Sequence, residues 1–136
     1  MIERAPYAQM LGVREWTDEA GNPGLFMPAV PALEGRQGFL YGGVIGSLLE
    51  LACLAALSGA QDVPDERPRP INITIDFLRG GLMIDTYAQA RIVRLGKRVV
   101  NVDAACWQSD RDSPIATGRM HLLRGNSQSF TERSMP

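Results

Sequence analysis

Glu50 stands inside the run VIGSLLELACLAAL, residues 44–57, where every other residue except Ser47 is apolar or glycine. A glutamate is seldom taken fully out of water unless it is paired or hydrogen-bonded. Just upstream, Tyr41 leads into Gly42 and Gly43 at the expected start of the same helix. Backbone N–H groups at a helix N-terminus lack intrahelical partners and favour negative charge. A carboxylate that can accept a proton and N–H groups that can hold a developing oxyanion are the parts of an acyl-transfer site. Each part also has a plainer reading. Glu50 could reach solvent or pair with an arginine at a subunit interface, and Gly42-Gly43 could serve tight packing alone.

Other chemistries find less support. The chain has one histidine, His121, on the last expected strand beside Thr117 and Arg119. No Gly-x-Ser-x-Gly elbow accompanies it, so a serine triad is not expected. Cys53 and Cys106 form no CxxC pair, and with one histidine a zinc site has too few ligands. Both fall on apolar faces and read as inert thiols of a reducing compartment. Asp110 and Asp112 belong to a turn and read as solvated, so no metal is expected. Ser47 shares a helix face with Glu50 and reads as a small packing residue. The net charge of −1, from 14 basic and 15 acidic residues, offers no global attraction to nucleic acid or an anionic membrane. The longest apolar run, about fourteen residues, is shorter than the roughly twenty that span a bilayer. A soluble cytoplasmic protein without a leader is expected.

The positioning elements follow from pattern. The chain, 136 residues with 45% hydrophobic side chains, suits one packed domain. Residues to about Met10 read as a short helix or irregular cover. Residues 11–16 and 25–30 read as a hairpin around the turn-rich DEAGNPG, with Pro28 marking a strand end. Residues 42–57 form the one long helix, closed by Ser58-Gly59. Because it is apolar nearly all round, it should be wrapped by other structure. A polar, proline-rich link, 61–70, leads to strands over 71–77, 84–95, 98–108 and 115–123. Ile71, Ile73, Ile75 and Phe77 alternate on one face, as do Val100, Val102, Ala104 and Cys106. Residues 125–136 read as a solvated tail. The order implies an α+β fold in which an antiparallel meander and a hairpin curl around one central helix.

These residues resemble the hotdog-fold acyl-CoA thioesterases, in particular the phenylacetate-degradation and 4-hydroxybenzoyl-CoA thioesterase-like branch. That family carries His-Gly-Gly and, nine residues after the His, an acid on the long helix; Tyr41-Gly42-Gly43 precedes Glu50 by this spacing. Residues 73–79, ITIDFLR, resemble the strand after the helix, and residues 93–98, VRLGKR, resemble the next hairpin. The likeness covers residues 11–124, taken as one domain (1–124) with the tail beyond it. It departs in three polar positions: Tyr41 replaces the histidine, Gly35 stands where some relatives have asparagine, and Pro70 where some have serine or threonine.

The resemblance implies a homodimer, or a dimer of dimers, with sites between subunits and no cofactor beyond the coenzyme A of the substrate. Carried over residue by residue, Glu50 is the base or nucleophile and Gly42 the oxyanion donor, with Tyr41 in the histidine's place and Gly43 beside the substrate. Arg79, Arg94, Lys97 and Arg98 are the candidates for the phosphates of coenzyme A. The implied activity is hydrolysis of acyl-CoA thioesters, and the departures leave a non-catalytic acyl-CoA binder or sensor as the alternative. A dehydratase of the same fold usually needs a histidine at or before the helix, where this chain has none.

Overall fold

A computed structural model describes residues 5–59 and 68–125. All of the expected tail, 125–136, except Gly125, and most of the 61–70 link lie outside them. The elements run α1 (Pro6–Leu11), β1 (Arg14–Thr17), β2 (Pro23–Met27), a 3-10 turn (Pro31–Leu33), α2 (Gly42–Ser58), β3 (Arg69–Phe77), β4 (Thr86–Leu95), β5 (Val99–Trp107) and β6 (Ala116–Leu123). Leu11, expected in the first strand, instead closes α1. Gly12 stops that helix in the left-handed region at φ 78°, which glycine adopts without strain.

One six-stranded antiparallel sheet, ordered β1-β2-β4-β5-β6-β3, curves around α2. This is the hotdog architecture. The expected meander holds for β4-β5-β6, but β3 does not neighbour β4. It crosses to the far edge and pairs with β6, Ile75 opposite Gly118 and Phe77 opposite Ala116. The crossing places β3 beside α2 instead of beyond it. Pro70 is accommodated because β3 is an edge strand, where a missing N–H can face outward. The register shifts between Pro70 and Asn72, so the expected alternation starts only after Ile71. Ile73 and Ile75 pack on the core, while Ile71 and Phe77 are exposed.

The core lies between sheet and helix. Leu48, Leu49, Leu57 and Cys53 of α2 meet Val100, Val102, Cys106, Met120 and Leu122, all fully or almost fully buried. Each such large aliphatic side chain contributes about 1.5–3 kcal/mol by leaving water. The helix is not wrapped all round, however. Gly43, Gly46, Ser47, Glu50 and Leu54 recur at steps of three and four, and all keep partial or full exposure. One side of α2 is therefore open.

Candidate functional site

The open stripe of α2 begins at its N-terminus. Tyr41 is the N-cap, with extended φ −63° and ψ 134° and no side-chain cap bond. Its own N–H reaches Leu33 O at 2.9 Å, and Leu40 N–H reaches Gly81 O at 2.8 Å, which fixes the entry of the chain. Val44 and Ile45 both donate back to Tyr41 O. The N–H groups of Gly42 and Gly43 meet no acceptor among the described residues. They form the unfilled donor pair that an oxyanion needs.

Two rings flank this pair. A Cβ at Gly42 would lie 3.8 Å from Phe77 Cε1, so the exposed end of β3 borders the first N–H. On the other side, Tyr41 is gripped by two bare Cα atoms. A Cβ at Gly43 would lie 2.7 Å from its Cε2, and one at Gly35 only 2.9 Å from its Cα. The second contact is with backbone and cannot yield, so this path of the chain requires glycine at position 35. Tyr41 itself is 62% exposed and ends in an open phenol.

Glu50 lies on the same stripe, two turns further along. It is half-buried, and no hydrogen bond or ion pair among the described residues engages it. The expectation of an acid wrapped on all sides is corrected here: its carboxylate sits on the one side of α2 that the sheet leaves open. Between it and the glycines, Ser47 Oγ donates to Gly43 O at 2.8 Å and lies 2.9 Å from the hydroxyl of Tyr7, which reaches across from α1.

The remaining candidates scatter. Arg79 follows Phe77 closely, and its Nε donates to Pro114 O at 3.1 Å. Arg94, Lys97 and Arg98 surround the β4–β5 turn, where β5 starts opposite the end of β6 and, through it, opposite Arg69. That is the other end of β3 from Phe77, roughly 26 Å away at 3.3 Å per residue. Within one chain, this basic trio does not meet Gly42. His121 Nδ1 lies 3.0 Å from Asn72 Oδ1 across the outer face. Burial pushes Cys106 up to about 12, and burial aided by the charges of Asp103 and Glu50 does the same to Cys53. Both thiols are protonated and inert at neutral pH. No group of three or more metal-ligating side chains occurs among the described residues.

Tyr7 and Phe77 enter the site without having been singled out by sequence. Phe77 was legible only as an alternating strand residue, and α1 offered no periodicity long enough to aim Tyr7. A cavity of about 1000 Å³ opens elsewhere, lined by Gln89, Arg91, Asp103, Trp107, Thr117 and Arg119 among others. It contains neither Glu50 nor the glycine pair.

The chain matches the thioesterase superfamily model over residues 37–115, which spans Tyr41, Gly42, Glu50 and Phe77. No curated protein sequence matches the chain. Among solved structures, a protein from Chromobacterium violaceum is 31% identical, with a TM-score of 0.74, covering 93% of this chain and 88% of that one. A phenylacetic acid degradation-related protein from Ralstonia eutropha is 24% identical, TM-score 0.71, over 88% of this chain and 90% of that one. A Bacillus halodurans protein solved with coenzyme A is 21% identical, TM-score 0.78, over 91% and 82%. The last two likenesses speak for the fold alone. The family match covers more than half of the chain and includes the helix that carries both the unfilled donors and the free carboxylate, so this protein belongs to the thioesterase superfamily.

Proposed function

We propose that this protein hydrolyses acyl-CoA thioesters to a free acid and coenzyme A, at a site shared by two copies of the chain. The observation that carries the reading is the open stripe of α2. It presents two unfilled N–H donors at one end and an unpartnered carboxylate further along, in a chain of a thioester-hydrolysing superfamily. Gly42 and Glu50 are eight residues apart on one helix, about 12 Å at 1.5 Å per residue. That rise is long for one thioester carbonyl and its attacking water. As the family resemblance implies, we place the two groups of one site on different chains, with the α2 helices antiparallel so that Gly42 of one faces Glu50 of the other. The exposed edge of β3, with Ile71 and Phe77 uncovered, suits such pairing.

In that arrangement the thioester oxygen accepts from Gly42 N–H. Glu50 takes a proton from water as the water oxygen bonds to the carbonyl carbon. The tetrahedral intermediate then collapses, the C–S bond breaks, and the proton passes from Glu50 to the leaving thiolate. Gly43 and the ring of Tyr41 border the path. Antiparallel pairing also carries the β4–β5 turn of one copy toward the Gly42 end of the other, where Arg94, Lys97 and Arg98 would join Arg79 around the phosphates of coenzyme A.

A second reading, an acyl-CoA binder without turnover, is favoured by Tyr41. Wedged between Gly35 and Gly43, it cannot supply an imidazole's acid–base chemistry. Thiol release from short, long and aryl acyl-CoAs, with wild type and Glu50→Gln side by side, tests the two. Turnover that collapses in the variant supports hydrolysis at Glu50. Saturable binding without thiol release from any ester supports the binder.

A further inference from the structure

Ser47 and Tyr7 have no part in the oxyanion contact, yet they occupy the stretch of α2 between its donors and its acid. Helical serines commonly return a hydrogen bond to the carbonyl one turn back, and Ser47 does so to Gly43 O at 2.8 Å. That bond uses its only proton. The Tyr7 hydroxyl at 2.9 Å is then the donor to Ser47 Oγ. The serine oxygen is left with one lone pair, held in direction by two fixed partners. Tyr7 reaches it from a helix that is itself anchored, since Ala8 and Leu11 of α1 are buried in the core. The phenol is thus a brace and not a loose surface group, although its ring is 46% exposed.

Glu50 is three residues beyond Ser47, on the same half-open stripe. Side chains at this spacing have Cβ atoms roughly 5–6 Å apart. A serine oxygen and a carboxylate on side chains so spaced come within reach of one bridging water. We propose that Ser47, braced by Tyr7, is a positioning residue that holds the attacking water against Glu50. One water proton goes to the carboxylate, the other to the remaining Ser47 lone pair, and the water oxygen faces the open side where a thioester from the second copy would lie. The inference rests on the hydrolytic reading above and deepens it by naming what holds in place the water that Glu50 deprotonates. It also divides the labour: the water station is complete within one chain, while the oxyanion donor comes from the other.

The test is steady-state kinetics of the full chain with benzoyl-CoA and hexanoyl-CoA, using Ser47→Ala, Ser47→Thr, Tyr7→Phe and Tyr7→Phe with Ser47→Ala. Ser47→Ala should lower kcat about tenfold or more with KM within twofold of wild type, because the lost contact is to water and not to substrate. Ser47→Thr, which keeps the oxygen, should restore most of kcat. Tyr7→Phe should lower kcat a fewfold, and in the double variant it should add nothing, since the brace has no other target. Melting temperatures identify any variant that loses its fold; Tyr7→Phe, at the surface, keeps the proposal testable if Ser47→Ala does not hold. A kcat within twofold of wild type for Ser47→Ala, an effect confined to KM, or additive losses in the double variant would overturn the water station while leaving Glu50 in place. If wild type turns over neither ester nor any other thioester, the hydrolytic reading and this inference fall together.

Discussion

The two flanks of this molecule are finished to different degrees. On the outer face of the sheet near β1 and β2, Trp16, Phe26, Tyr87 and Trp107 pack ring to ring at centroid distances of 5.0–6.0 Å. Arg111 lies over Trp107 at 4.7 Å, and Asp18 accepts from Asn22 N–H, Gln89 and Arg111. Polar and aromatic groups there find partners within the chain. On the flank of α2 and β3 the opposite holds. Among the described residues, Gly42 and Gly43 N–H meet no acceptor and Glu50 no partner, and Phe77, Ile71 and Tyr41 are more than half exposed. Both flanks are built on the same sheet, so the difference is not one of overall stability. A closed network holds the fold by itself, whereas an open one leaves groups available to a substrate or a second copy.

The largest effects should come from filling or deleting the open groups. Glu50→Gln removes the carboxylate and keeps its size, so thiol release should fall by about 10²–10⁴-fold, with a melting temperature at or above that of wild type. Gly42→Pro is the sharper probe of the donor pair. Proline suits the first residue of a helix and lacks the N–H. Tyr41 already has the extended backbone that a residue before proline prefers. A Cβ at position 42 meets only ordinary contacts. The variant should therefore fold and lose about 10²–10³-fold in kcat, roughly 3–4 kcal/mol of oxyanion stabilisation. Near-native turnover by a folded Gly42→Pro protein would move the oxyanion site elsewhere.

The contrast also explains what sequence could reveal. The closed parts announce themselves by periodicity: Val100, Val102, Ala104 and Cys106 alternate because one neighbour, α2, buries one side. The spacing of Tyr41-Gly42-Gly43 and Glu50 was equally plain. The open stripe was hidden by its small residues, since Gly43, Gly46 and Ser47 hardly dent an apolar profile even though their three-and-four spacing through Glu50 to Leu54 marks one face. The place of β3 beside β6 was not legible, because alternation tells which face is buried and not which strand is adjacent. Nor was Tyr7 against Ser47, a contact across forty residues that depends on how α1 docks.

The edge of β3 should respond next, through assembly. Ile71→Lys and Phe77→Lys place charge on an exposed edge without removing a core contact, so the monomer fold should persist. If the site is shared, light-scattering mass should fall toward one chain and kcat should fall with it, recovering as protein concentration rises. Unchanged mass and activity would leave the open flank to substrate alone.

The smallest effect belongs to the closed flank. The Asn22 backbone N–H, first, then Gln89, hold the Asp18 carboxyl down to about 2 from its ordinary 3.8, with Arg111 adding to them. The charged form is thus favoured in the folded state. Its contribution is complete above about pH 4 and is lost as pH falls toward about 2. Asp18→Asn keeps an acceptor for Asn22 N–H but removes the titration. Melting temperature should fall slightly at pH 7, and the gap from wild type should close between pH 4 and pH 2. Activity at neutral pH should be unchanged, because the hydrogen bonds of this network join Asp18, Asn22, Gln89 and Arg111 and not α2. A gap that persists at pH 2 would mean that Asp18 acts through packing and not through its charge.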